Sequence, residues 1–320
     1  MPEATASTEL PQLSMNLPSF SAEDPGSWQP TLDRAKAYDA AGIDRLVVSD
    51  HVVYGENLEA YSRPELGGAK GGKQPTGPDG HWLEPLTLLS FVAATTTRVR
   101  LGTNILLAAL RRPVVLAKTT STLDVLSGGR LDLGVGVGWQ REEYEAAGLS
   151  FEGRGRLLDH TLEVLQTLWR EQRASYSSDL LSFENIHQMP KPRQPGGVPI
   201  WVSGTANRKV ARRIARFGSA WIPWGPAAAD IKTGIKEMFD LVRAEGRDPS
   251  GLQVVGTLPT VRDSDGNADL ARTLEGVPAL VEAGVTDVRT SFPLPSDPNA
   301  MVDTLAELVA GFRAAVGRKA

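Results

Sequence analysis

The stretch GGRLDLGVGVGWQREEY, Gly128–Tyr144, runs a short apolar strand into Gly134, Gly136 and Gly138 and then into a polar helical start. Strand, glycines and helix in that order are the layout of many phosphate-binding turns. A dinucleotide fingerprint requires G-x-G-x-x-G, followed about 20 positions later by an acidic residue that closes a second strand. Here the spacing is G-x-G-x-G, Trp139 stands where the last glycine belongs, and Asp159, near the required distance, lies inside an amphipathic helical pattern. The stretch is one strand–helix unit without that signature, so the fold must be read from the units on either side.

Outward from it, apolar runs of strand length alternate with helical patterns along the whole chain. The strand-like runs are Leu13–Phe20, Arg45–Ser49, Val99–Ala108, Leu131–Val137, Val198–Ser203, Ala220–Pro223, Val254–Val261 and Asp287–Phe292. The helical patterns are Trp28–Ala41, Pro85–Thr96, Pro113–Leu126, Arg156–Glu171, Arg208–Phe217, Ala229–Ala244, Leu270–Ala283 and Met301–Val316. Strands that read as nearly continuous apolar runs belong in a sheet covered on both faces, and eight β-α repeats imply a closed (β/α)8 TIM barrel. An open doubly wound sheet is the alternative. The barrel is preferred because the repeat runs unbroken to the C-terminus and no linker divides the chain, giving one domain over residues 1–320. Two Gly/Pro-rich insertions, about 52–81 and 174–197, break the rhythm and are expected as loops at the C-terminal rim, the first as a lid over the active site.

The composition narrows the chemistry. With 320 residues, 41% hydrophobic and 22% charged, and a net charge of −4 dispersed along the chain, there is no basic field for nucleic acid. The absence of cysteine removes disulfides, thiolate metal sites and sulfur nucleophiles. No apolar run approaches the length of a membrane span, and the N-terminal MPEATASTELPQ lacks a signal-peptide core, so a cytoplasmic protein is expected.

Several motifs compete for a functional role. GGAKGGKQ, Gly67–Gln74, matches G-x-x-x-x-G-K but places Gln74 where a hydroxyl must hold magnesium, and no buried strand precedes it. It reads as a basic loop whose two lysines could meet an anionic ligand tail. The four histidines, His51, His81, His160 and His187, form no metal-binding pair, so no metal is expected. His160 reads as a partly exposed structural residue on a helix, and His81 and His187 as loop residues. Asp50 and His51 close the run DRLVVSDH, which delivers a tunable proton donor or acceptor to the catalytic rim. The plainer alternative is a strand cap. Gly102, Thr103 and Asn104 interrupt an apolar strand, which suggests a bulge or a close ligand approach, or else a hydrogen-bonded polar residue in a barrel layer. Ser203, Gly204, Thr205, Ala206 and Asn207 form a small-residue turn before a helix, a ready anion site, with capping by Asn207 as the competing reading.

GIDRLVVSDH, RLGTNILL, RRPVVLAKTTSTLDVLSGGRLDLGVGVGW and PIWVSGT occur in an order and spacing that resembles the bacterial luciferase-like flavin/deazaflavin oxidoreductase superfamily, over nearly the whole chain. The resemblance implies a TIM barrel with a flavin or coenzyme F420 in its mouth. It places Gly136, Val137 and Gly138 beneath the ring, where larger side chains would collide with it, and turns Trp139 and Glu142 toward cofactor or substrate. It further implies a non-proline cis peptide at Asn104–Ile105, beside Thr103, and a cofactor phosphate at Ser203–Asn207.

The Asp50–His51 pair fits members of the superfamily that use F420. Members that use flavin mononucleotide (FMN) often carry a tyrosine where this chain has Gly155. The implied activity is hydride transfer between F420 and a small organic substrate, apolar or aromatic because Trp139 replaces a glutamate found in sugar-phosphate relatives. His51 would move the proton, Asp50 would orient it, and Glu142 is a second acid or base. The alternatives are an FMNH2-dependent two-component monooxygenase and a flavin-storing relative without turnover. A homodimer and a separate cofactor-reducing enzyme are the expected partners.

Overall fold

The computed structural model describes residues 11–66, 68 and 72–319. Residues 1–10 of the N-terminal stretch read for a signal peptide, and Lys70 of the basic loop, lie outside the described residues. Eight parallel strands close a barrel: β1 (Gln12–Asn16), β2 (Arg45–Val48), β3 (Arg100–Thr103), β4 (Leu131–Val135), β5 (Ile200–Gly204), β6 (Gly218–Pro223), β7 (Gln253–Leu258) and β8 (Asp287–Thr290), with β8 pairing back on β1. Helices α1 (Gln29–Ala41), α2 (Pro85–Thr95), α3 (Pro113–Leu126), α4 (Arg141–Ala146), α5 (Arg154–Arg170), α6 (Arg208–Phe217), α7 (Pro226–Ala229), α8 (Ile231–Ala244), α9 (Leu270–Leu274), α10 (Val277–Glu282) and α11 (Pro298–Ala315) connect them. Proline opens α2, α3 and α11, where the missing amide hydrogen costs nothing. Glu84 and Asp297 cap α2 and α11 by accepting from free amides of the first turn.

Several boundaries differ from the sequence reading. The single helix expected over Leu270–Ala283 is two, α9 and α10, separated around Gly276. The run to Phe20 ends at Asn16, and Phe20–Ser21 instead pairs antiparallel with His81–Trp82, closing one flank of the barrel mouth. Segment 52–81 stands at the C-terminal rim, as expected of a βα connection. Segment 174–197 does not. It is an αβ connection, so it returns at the N-terminal face, first as an antiparallel pair, Ala174–Ser177 with Ser182–Ile186. There Gln194 donates to the carbonyl of Leu131 at 2.7 Å, at the start of β4, and accepts from Arg100 at 3.0 Å, at the start of β3. His160 is buried rather than partly exposed; its Nδ1 lies 3.1 Å from the Tyr176 hydroxyl, and burial lowers its pKa.

The core has two layers. Leu46, Val48, Leu133, Val135 and Val288 belong to the large apolar cluster between barrel and helices. Residues of opposite phase point inside, where the usual branched apolar filling is partly replaced by ions. Arg45, 2% exposed, reaches Asp132 on β4 (2.9 Å) and Asp287 on β8, and lies over the Trp201 ring. Asp132 is also held by Arg100 at 2.6 Å, and Asp287 by Ser14 at 2.6 Å and Arg289 at 3.3 Å. Burial alone would push Asp132 up, but Arg100 and Arg45 outweigh it and keep its carboxyl below the ordinary range.

Candidate active site

A cavity of about 550 Å³ opens at the C-terminal ends of the strands, the rim where barrel chemistry is placed. The glycines of the opening stretch explain part of its shape. A Cβ on Gly134 would lie 1.9 Å from the Thr103 carbonyl oxygen, one on Gly136 2.7 Å from Ile105, and one on Gly138 2.8 Å from Leu107. Alternate residues of segments 103–107 and 134–138 therefore meet, and Gly138 in addition takes φ +69°. The glycines approach the chain itself, so protein atoms already crowd a larger side chain there. Val135, of the other phase, stays in the outer core. The close approach lets the continuation of β3, with its cis Asn104–Ile105 peptide, lean into the cavity, where Asn104, Ile105 and Leu107 form one wall and Gly136–Trp139 the next. Thr103 is not on that wall: its hydroxyl donates to the Gly134 carbonyl at 2.7 Å.

Asp50 and His51 both line the cavity but do not act on each other. The Asp50 carboxylate, 5% exposed, accepts from the Leu107 amide (2.8 Å) and from both terminal nitrogens of Arg111 (2.7 and 3.1 Å). Arg111 also holds Glu84 at 2.9 Å. Burial would raise Glu84, but hydrogen bonds from Thr87 and Arg111 prevail and its carboxyl lies below the usual range. Asp50 thus fastens the loop after β3, and the partner of His51 is another acid. His51 Nδ1 lies 3.2 Å from Glu143 Oε2, without the alignment of a hydrogen bond, and Glu143 Oε1 accepts from the Val52 amide at 2.9 Å.

Glu143 is 1% exposed, whereas Glu142 packs against Gly55 outside the cavity lining. One residue on a helix is a rotation of about 100°, and the i, i+3, i+4 set Gln140, Glu143, Tyr144 is the inward face of this turn. Helical phase is what separates the two glutamates.

Aromatic rings surround the imidazole. Tyr54, Trp82 and Trp139 have centroids 4.3, 4.8 and 6.0 Å from it, and Tyr61 joins Trp139 to Trp224 at 5.3 and 6.2 Å. Burial raises the pKa of both Tyr54 and Tyr61, so both phenols are neutral at physiological pH. The described part of segment 52–81 is tied to the barrel by Gln140 to the Gly55 carbonyl (3.3 Å), Arg154 to the Leu66 carbonyl (2.8 Å) and Trp224 to the Gly68 carbonyl (3.0 Å). Lys73, the described lysine of the basic loop, is exposed.

On the far side, Ser203, Gly204, Thr205 and Asn207 line the cavity and Ala206 packs against the core. Asn207 caps α6: its Oδ1 accepts from the amides of Lys209 (3.0 Å) and Val210 (3.1 Å), and its Nδ2 donates to Thr205. Its side chain is therefore taken up by the turn. Among the described residues no hydrogen bond takes up the Thr205 or Ala206 amide, so the turn before α6 presents free donors to the cavity. Arg213, missed in the sequence, lines the same end of the cavity and fills space beside Gly155, donating to its carbonyl at 2.9 Å.

A model of the family described as luciferase-like monooxygenase matches residues 12–275. An uncharacterized protein of Mycobacterium tuberculosis is 33% identical over 230 residues, 71% of this chain and 77% of its own length. An F420-dependent glucose-6-phosphate dehydrogenase of Kineococcus radiotolerans is 33% identical over 175 residues, 53% of this chain and 51% of its own. Among solved structures, an F420-dependent secondary alcohol dehydrogenase in complex with an F420-acetone adduct superposes with a TM-score of 0.71 at 18% identity, covering 94% of this chain and 99% of that one. The oxygenating constituent of a Pseudomonas putida 3,6-diketocamphane monooxygenase in complex with FMN superposes with a TM-score of 0.67 at 16% identity, covering 94% and 97%. No helix among the described residues is long and apolar enough to cross a membrane.

Proposed function

Since the chain belongs to the luciferase-like monooxygenase family, we propose that it is an F420-dependent oxidoreductase that transfers a hydride between coenzyme F420 and a small apolar or aromatic substrate. The observation that carries this reading is a single imidazole, His51, ringed by aromatic side chains and backed by a buried carboxylate at the mouth of the barrel. The residues present fit a phosphate-bearing ring cofactor. The wall from Asn104 to Leu107 beside Gly136–Trp139 offers a backbone-lined slot, and the α6 start with Arg213 offers the phosphate site. When bound, F420 supplies a ring carbon that gives or takes hydride.

The protein's part is orientation, water exclusion and the proton. Trp82, Trp139, Tyr61 and Trp224 present rings to the substrate space and keep it apolar. The Glu143 carboxylate faces His51 Nδ1 at 3.2 Å, leaving Nε2 as the nitrogen that gives or takes the proton. Glu143 is then a positioning residue, and Glu143→Gln is expected to lower kcat by roughly ten-fold or more with KM and cofactor affinity little changed. Glu143→Asp recovers part of the loss; a parallel loss in KM and melting temperature would mark a merely structural carboxylate.

The F420-dependent relative supports the choice of cofactor, as does Gly155 in place of a tyrosine. A second reading, an FMNH2-dependent monooxygenase served by a separate reductase, is favoured by the likeness to the FMN-bound monooxygenase. Parallel titrations with F420 and FMN, oxidised and reduced, decide between them. The expected result is micromolar F420 binding without comparable FMN affinity. Preference for reduced FMN, with oxygen uptake when a flavin reductase and NADH are added, would sink the F420 assignment.

A further inference from the structure

The ions inside the barrel form an alternating series, Arg100–Asp132–Arg45–Asp287–Arg289, with a cation at each end. The two ends differ. Arg100, at the N-terminal face, donates to Gln194 and feels the field of a second acid, Asp124, in addition to Asp132. Arg289, at the cavity end, has among the described residues one acid only, Asp287, which it shares with Arg45 and Ser14. Its Nε donates to Ser14 Oγ at 3.0 Å and its Nη2 to Asp287 at 3.3 Å, so one edge of the guanidinium is tied to the series. The residue is 6% exposed, and the cavity is what it is exposed to. Burial, relieved in part by Asp287 and reinforced by the like charge of Arg45, lowers the pKa of this guanidinium. A buried charge is costly unless it is paired, and a planar fork of donors pairs best with two oxygens in a plane. Val255, Gly256 and Thr257 of β7 and Ile222 of β6 line the adjoining cavity surface and bring no counter-charge.

We propose that the floor of the cavity is an oxyanion subsite, in which Arg289 receives a planar, delocalised oxyanion of the bound molecule. Two sources share that chemistry: a carboxylate or enolate of the substrate, and the anionic pyrimidine edge of a reduced flavin-type ring. The second source rests on the redox reading above; the first does not.

Arg289→Met tests the subsite, because Asp287 keeps Arg45 and Ser14 in that variant and is not orphaned. Arg289→Lys keeps the charge but not the fork. Wild type and both variants are titrated with oxidised and reduced F420, and the F420-loaded and ligand-free proteins with benzoate and with benzamide, its neutral counterpart. The expected result is a loss of roughly ten-fold or more in Arg289→Met, partly restored in Arg289→Lys. If the loss falls on reduced rather than oxidised F420, the cofactor supplies the oxyanion; if it falls on benzoate rather than benzamide, the substrate does. Affinities all within about two-fold of wild type would overturn the inference, as would equal losses for benzoate and benzamide and for both cofactor forms, since those report shape rather than charge. Should wild type not bind F420, the redox reading fails by itself, and reduced FMN with the benzoate pair still tests the floor.

Discussion

His51→Ala is expected to lower turnover by roughly a hundred- to ten-thousand-fold, the usual contribution of a positioned acid or base, while cofactor affinity changes by no more than a few-fold. The asymmetry follows from geometry. His51 is on the cavity wall but is not needed to build it: the loop after β3 is fastened by Asp50 and Arg111, and the lid by Gln140, Arg154 and Trp224. Removing the imidazole leaves the Glu143 carboxylate buried beside a void, so Tm should fall as well. His51→Gln, which refills most of the volume without an ionisable group, separates the two effects. Steady-state kinetics alongside cofactor titration read the outcome; turnover within two-fold of wild type in both variants would remove His51 from the chemistry.

Gly134→Ala is expected to destabilise the fold by about 3 kcal/mol or more, at or beyond the upper end of overpacking costs. The added carbon would sit 1.9 Å from the Thr103 carbonyl oxygen, which is backbone and has no rotamer to escape into. The site is also pinned from the other side, because the Gly134 carbonyl accepts from the Leu106 amide and the Thr103 hydroxyl, each at 2.7 Å. Relief must come from parting β3 and β4, which moves the cavity wall. Thermal denaturation should show Tm lower by about 5 °C or more. Gly251→Ala is the control: nothing lies within 4 Å of the built Cβ, so a change within about 0.5 kcal/mol is expected. Equal Tm values for the two variants would mean that the strands part at little cost.

The barrel was legible because its strands and helices are separately periodic, and each β-α unit writes its own pattern. What the sequence hid is relational. Asp50 and His51 are adjacent in the chain, so they invite being read as a pair, but consecutive residues leaving a strand diverge, one to Arg111 and the other to Glu143. Glu142 and Glu143 differ only in helical phase, and a turn of six residues is too short for apolar periodicity to announce that phase. The end of the barrel at which segment 174–197 lies depends on whether a helix or a strand precedes it, which the element order contains. Arg289 carries no local mark at all: its importance comes from Asp287, Arg45 and Ser14, contributed by three strands of which β1 and β2 lie more than 200 residues away along the chain.

The lid is held at Val52, Gly55, Leu66 and Gly68, and in every case the grip is on a main-chain amide or carbonyl. Such fastenings do not read side-chain identity. Of the inward-facing residues of this segment, Pro64, Gln74 and Pro75 are therefore expected to exchange without loosening these fastenings, whereas Tyr61 also packs between Trp139 and Trp224. Exchanges at these positions are expected to change which substrate is accepted more than how the segment is fastened.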